Sequence, residues 1–382
     1  MARTHRDRFH GVPFSSGYLD KRVNGVPTYT PSSNYYEFST DSGDYIHQPV
    51  VDSEFRVEHM DKSKLDLLNG YNDLGGGNYV SVVNFPLGQY GSAYDGNKLA
   101  AGEPNSSTLA TTALARTNPS RPEYVPGNLI QDIADIPRDI RFIGEALRGR
   151  HNSSKGVANA YLSAKFGWLP LYEDMSKMLD VHRYIDRRNE ELKRLYSKEG
   201  LRRRVSLGRY TATDVSTQNV SSGTNGTLTC RRNRFANSEC WATLRWKPNA
   251  LPSQYPSDTA RLALAKRIVL GATASGAFAS SWDLIPWTWL LGWSVNVRDF
   301  VLAHGNTISC AHGKVNVMVH HEQTQQFTVT SRSGWLHGGD GSISHERKYR
   351  YIESKAALNA NIPHLSGERL SILGALAVQR FR

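Results

Sequence analysis

The sequence predicts an α+β protein, an elongated two-region body with a helical bundle and a curved antiparallel β-sheet, each assembled from non-contiguous segments. Three observations carry that expectation. The 382-residue chain is two to three times the length of a typical domain. Its hydrophobic pattern switches between two-residue alternation and helical spacing in blocks of about 50 residues, too long for single βαβ units. Finally, 18 Tyr, 12 Phe and 8 Trp within a 39% hydrophobic composition supply a core and exclude a disordered chain. No self-similar period of repeat type runs through it.

Residues 1–125 read as strands and loops, and ten of the eighteen tyrosines lie there. The second half of 50–58 alternates, and Tyr79–Phe85 is a strand bounded by a Gly75-Gly76-Gly77 turn and Pro86. Residues 91–122 show little period and are expected to be loops, or segments ordered by a partner. After Pro126-Gly127-Asn128 the spacing turns helical, with Ile133, Ile136, Ile140, Ile143 and Leu147 recurring and Pro137 in a first turn. A second helical block covers 154–198, interrupted at Gly167 and Pro170. Its last part places Met178, Leu179, His182, Ile185 and Leu192 near one face.

From 201 to 256 the pattern is β again. Strands at 204–210 and 240–246 flank a polar Ser/Thr/Asn/Gly stretch, 213–229, expected to be a loop. Ser257 or Asp258 can cap a helix starting near Thr259, and apolar character runs on to Ala303. Residues 307–352 alternate, notably 314–320 and 325–330. Leu370, Leu373, Leu376, Ala377 and Phe381 mark a terminal amphipathic helix. The helical region therefore gathers 127–200, 257–305 and 365–382; the β region gathers 1–126, 201–256 and 306–364.

Charge is unevenly spread. Residues 1–125 hold 11 Lys/Arg against 14 Asp/Glu, so the rest hold 35 against 21, an excess of +14. Such an excess favours nucleic acid or an anionic membrane as partner. Cys230, Cys240 and Cys310 cannot staple so long a chain; Cys230 and Cys240 could meet across a hairpin, but free buried thiols fit better. The N-terminus leads into no apolar segment, so a cytoplasm-like site of synthesis is expected. Phosphate-loop, His-Glu-x-x-His and Gly-x-Ser-x-Gly patterns are missing, and no enzyme is expected. The nearest approach to a metal cluster is Cys310-Ala311-His312 with His304 and His320-His321-Glu322, whose spacing fits no zinc pattern. Neither metal nor cofactor is expected.

Three stretches stand out. Phe166-Gly167-Trp168-Leu169-Pro170-Leu171 reads as a bend between helices with a buried apolar corner. Between Ile268 and Val297 the only charged side chain is Asp283. A membrane span there would have to satisfy that Asp and the ladder broken by Pro286, so a buried central helix is favoured. The run 183–204 has nine Lys/Arg against four Asp/Glu, and Arg183, Arg187, Arg194 and Lys198 fall along one helical stripe. Movable cations at helical spacing suit phosphate contacts, because each neutralised phosphate releases counterions. A solvated face with i,i+4 pairs such as Glu190–Arg194 would carry the same residues.

Taken together these stretches resemble the maturation protein (A protein) of the small single-stranded RNA bacteriophages. The resemblance rests on Phe166, Gly167, Trp168, Leu169 and Pro170 with Glu173-Asp174 following. It rests also on Trp282, Ile285, Pro286, Trp287, Trp289, Leu290 and Trp293, and on the Leu/Ala helix 370–382 with its basic end. Gly292 departs from it, standing where an acidic residue is expected before the final Trp. The match covers about a third of the chain.

The resemblance implies a single-copy, monomeric virion protein, assembled in the host cytoplasm, that replaces a coat-protein dimer in the capsid. Its helical region would hold the viral genomic single-stranded RNA near the 3′ end. Its sheet region would attach to a host pilus through pilin, after which protein and RNA enter the cell together. On that reading Arg138, Arg141, Lys155, Lys165, Arg183, Arg187, Arg194 and Lys198 are the expected RNA-binding set. The alternative is a membrane-active host-lysis protein, alone or combined with maturation.

Overall fold

The computed structural model describes residues 4–13, 17–32, 35–45, 55–85, 104–123, 161–162, 165, 180–221, 226–284, 288–305, 307–360 and 367–381. The fold is α+β with two antiparallel sheets. Its strands are β1 (Thr4–Pro13), β2 (Tyr18–Val23), β3 (Val26–Pro31), β4 (Tyr35–Tyr45), β5 (Phe55–Leu65), β6 (Leu68–Gly75) and β7 (Asn78–Phe85). They continue with β8 (Leu201–Ser221), β9 (Leu228–Pro248), β10 (Cys310–His312), β11 (Val315–Arg332), β12 (Leu336–His337) and β13 (Gly341–Glu353). The described helices are α1 (Ser106–Thr117), α2 (Val181–Leu195), α3 (Asp258–Val269), α4 (Ala274–Leu284), α5 (Val297–His304) and α6 (Gly367–Phe381). The chain divides into two compact units, Met1–Glu103 with Ser206–Trp241 and Asn316–Ile352, and Pro104–Val205 with Ala242–Val315 and Glu353–Arg382.

Where one curved sheet was expected, two are found. The larger runs β1-β4-β5-β13-β11-β9-β10, with β8 also paired to β9; the smaller runs β12-β6-β7-β2-β3. Tight turns separate the small sheet. Val23 pairs with Val26 across Asn24-Gly25, whose φ values of 52° and 75° are those of a type I′ turn. Gly75, Gly76 and Gly77 all take positive φ at the β6–β7 turn, as the glycine run suggested. Each hairpin closes locally, and its apolar face is then buried as a unit. Leu19, Leu68, Val80, Val82, Phe85 and Leu336 of the small sheet meet Met60, Leu65, Leu228, Cys230, Phe327 and Ile343 of the large one. At about 1.5–3 kcal/mol per fully buried large side chain, this interface is the main core of the first unit.

The polar stretch expected as a loop at 213–229 is strand up to Ser221, because β8 pairs with β9. On β9 burial alternates strictly from Leu228 to Trp246. Cys230, Cys240 and Cys310 are free and buried.

Residues 106–117 differ from the expected loops of the β region. They form helix α1, which belongs to the second unit. Threonine is a poor helix former, so local pattern hides it. Asn105 caps it, its Oδ1 accepting from the Thr108 N–H at 2.8 Å. Tertiary partners then use the hydroxyls: Thr112 donates to Asp299 at 2.7 Å, and Thr117 accepts from the Trp246 indole N–H at 3.2 Å. Leu109, Ala110, Ala113 and Leu114 are buried against α5 and its surroundings.

Within the second unit α1 packs on α5, α2 on α3, and α4 on α5. Ser257 caps α3, as its sequence suggested. None of the described helices is long and apolar enough to cross a membrane.

Candidate nucleic-acid interface

Helix α2 is amphipathic at a period of 3.6, and its buried residues are Ile185, Arg188, Leu192 and Leu195. Ile185 meets Val269 of α3, with Val181, Tyr184 and Leu262 packed alongside. Arg261 of α3 ties the pair further, its Nε donating to Asn189 Oδ1 at 3.1 Å.

Arg188 is the anomaly on the buried face, with only 3% of its side chain exposed. Its guanidinium donates to Glu191 Oε2 at 2.9 Å, to Glu123 Oε2 at 3.1 Å and to the Arg121 carbonyl at 3.3 Å. Glu191 also receives Arg203 from β8. Burial pushes the Arg188 guanidinium down to about 10, opposed by Glu191 and Glu123 and aided by Arg121 and Arg203. It remains a cation at neutral pH, and it pins α2 to the chain around 121–123 and to β8.

With that face fixed, the opposite face presents cations to solvent. Arg183 is 84% exposed and, among the described residues, pairs only with Asp180, at 3.4 Å. Arg187 reaches Glu123 at 3.3 Å and lies over the Tyr184 ring at 5.1 Å. Lys193 lies 4.0 Å from Glu190. Arg194 and Lys198 are exposed, as are Lys266 and Arg267 on α3, and none of these four has an ion pair among the described residues. The structure thus brings Arg183, Arg187, Arg194 and Lys198 onto one exposed surface.

The other expected residues fare differently. Lys165 is engaged with Glu368 of α6 at 2.6 Å, a contact that holds the Glu368 carboxyl below its usual range. Arg138, Arg141 and Lys155 lie outside the described residues, as do Phe166, Gly167, Trp168, Leu169, Pro170, Ile285, Pro286, Trp287 and the Trp289 side chain. Trp282 stacks on Phe278 at 6.1 Å, and Trp293 lies under the Arg369 guanidinium at 5.1 Å. Leu290, expected in the core, is exposed. The turn Thr288–Leu291 buries Thr288, whose hydroxyl donates to the Trp282 carbonyl at 3.0 Å, and this turns Leu290 and Leu291 outward.

In the first unit the outward face of the small sheet is rich in tyrosine. Tyr18 stacks on Tyr29 and Tyr71 on Tyr79, at 5.7 and 6.2 Å, and Tyr79 donates to Asp20 at 3.0 Å. Tyr29 and Tyr71 are largely exposed.

On the large sheet His320, Glu322 and Glu346 bring ligand atoms within 4.8 Å of one another, close enough to share an ion. Glu346 Oε1 already holds His320 Nε2 and Lys348 Nζ, each at 2.7 Å, so the group is also complete as a cross-strand charge ladder. His321 faces the other side, buried, with Nδ1 2.9 Å from Ser238 Oγ. The Cys310 thiol is pushed up to about 11 by burial, which disfavours the thiolate a metal needs, and His312 lies edge-on to Trp246.

Glu123, the partner that orders Arg187 and Arg188, was not legible in the sequence; it lies 65 residues from Arg188 and in no motif. Comparison with protein-family models and with curated protein sequences finds no match.

Proposed function

We propose that this protein is the single-copy maturation and attachment protein of an RNA-phage-like virion. One observation carries the reading: α2, the turn after it and α3 present Arg183, Arg187, Arg194, Lys198, Lys266 and Arg267 to solvent while Arg188, Glu123 and Glu191 hold the opposite face of α2 in place. Exposed, loosely held cations on a rigid support suit the phosphates of structured RNA, which proteins grip by shape and backbone. Arg187 over Tyr184 adds a planar group on which an unstacked loop base can lie.

In this reading the helices form one bundle within an elongated body, hold the genomic RNA near its 3′ end, and replace a coat-protein dimer. The tyrosines of the small sheet meet the host pilus, where aromatic side chains supply contact area at low entropic cost. Protein and RNA then enter the cell together.

A density map of the intact particle without imposed symmetry tests this. Expected is one copy of the chain in the shell with RNA density against α2 and α3. RNA lying only elsewhere, or no copy in the shell, would overturn the proposal.

A further inference from the structure

We propose that Arg234, with Arg232 beside it, forms a binding site for one small inorganic oxyanion on the buried face of β9. The alternation of that strand turns both side chains inward, leaving them 8% and 4% exposed. A buried guanidinium is costly unless its charge and its five N–H donors are matched. Elsewhere the protein meets that demand: Arg188 has Glu123, Glu191 and a carbonyl, and Arg347 has Glu58 at 2.9 Å.

Arg234 does not fit that pattern. Among the described residues its one ion pair is with Asp214 at 3.8 Å, beyond hydrogen-bonding distance, and the same carboxylate oxygen lies 3.5 Å from Arg232. The Nε and Nη1 atoms of Arg234 are buried with no hydrogen-bond partner among the described residues, which leaves three of its five donors unused there. A planar guanidinium with unused donors is a group that takes a tetrahedral oxyanion. Asp214, whose carboxylate lies near both guanidinium groups, is 37% exposed, so the pair borders solvent on the β8 side. The same burial excludes a polymer: a phosphate within an RNA chain cannot follow. The occupant is therefore free phosphate or sulfate. The site lies in the first unit and is independent of the α2–α3 surface.

The test is titration of the full-length protein with inorganic phosphate at constant ionic strength, followed by calorimetry and thermal unfolding. Expected is saturable one-to-one binding and a rise in Tm that chloride does not reproduce. Arg234→Met should bind about 10- to 100-fold more weakly, the loss expected when charge-assisted hydrogen bonds are removed. In phosphate-free buffer its Tm should equal or exceed that of the parent, because an ill-matched buried charge is gone. Asp214→Asn removes the competing carboxylate and should tighten binding. Failure of the parent to bind, or undiminished binding by Arg234→Met, would overturn the site. Displacement of phosphate by a short RNA oligonucleotide at equal affinity would overturn its restriction to small ions.

Discussion

Arg188 shows how a single charge can set the geometry of a surface it does not touch. Two carboxylates, Glu123 and Glu191, meet it while only 19% and 13% exposed, and each also meets another arginine. Breaking such a group from one side costs about 3–5 kcal/mol. Arg188→Ala should lower unfolding stability by that amount in urea denaturation, whereas Arg194→Ala on the exposed face should change it by less than about 0.5 kcal/mol. His345 gives a second residue-scale expectation. Burial, then the nearby Arg347 guanidinium, pushes its imidazole down to about 4, against the pull of Glu58 at 2.6 Å. The unfolded chain takes up a proton near pH 6.5, while the folded protein resists until about 4. Stability is therefore full above pH 6.5 and falls as the pH drops towards 4, by about 3 kcal/mol for a shift of this size. His321, also shifted down by burial, adds in the same direction. Stability curves at pH 7 and pH 4.5 should converge in His345→Gln relative to the parent; an unchanged difference would refute this account.

At the scale of elements, the second unit depends on polar caps more than on helix propensity. Asn118 closes α1 and reaches across to α5, where its amide nitrogen approaches the carbonyls of Leu302, Ala303 and Gly305 at 3.0, 3.3 and 3.3 Å. Its own Oδ1 accepts from the Ser120 N–H at 2.9 Å, and Ser120 Oγ accepts from Ile308. Terminal carbonyls of a helix need such partners when water cannot reach them. Asn118→Ala should cost about 1–3 kcal/mol, read as a lower denaturation midpoint with an unchanged m-value. A neutral result would mean that water replaces the amide. Helix α1 itself illustrates what the sequence conceals: Thr111, Thr112 and Thr117 look like loop or strand residues until Ala357, Asp299 and Trp246 satisfy their hydroxyls. By contrast α3 was legible, because Ser257 and Asp258 announce its start before any packing is considered.

On the scale of the whole molecule, the proposed function requires RNA affinity to behave as the sum of many weak phosphate contacts. Replacing Arg183, Arg187, Arg194 and Lys198 together by Ala should weaken binding of the genomic RNA. It should also flatten the slope of log affinity against log salt by about 3, roughly 0.7 to 0.9 for each lost contact. Equal slopes for parent and variant would remove this surface from the RNA interface. Folding should survive the fourfold change, since none of the four side chains is buried.

The sequence alone determined what depends on near neighbours. The strand at 240–246, the turn at Gly75–Gly77, the cap of α3 and the cation stripe of α2 all follow from the residue types and spacing within one segment. The tertiary structure decided what depends on residues far apart. It split the strands into two sheets, made 106–117 a helix, turned Leu290 outward, buried Arg188 with a carboxylate 65 positions away, and left Arg234 with unused donors. The physical reason is that periodicity reports which face of an element is apolar, whereas the partner of a buried charge or hydroxyl is chosen only when distant segments pack and exclude water.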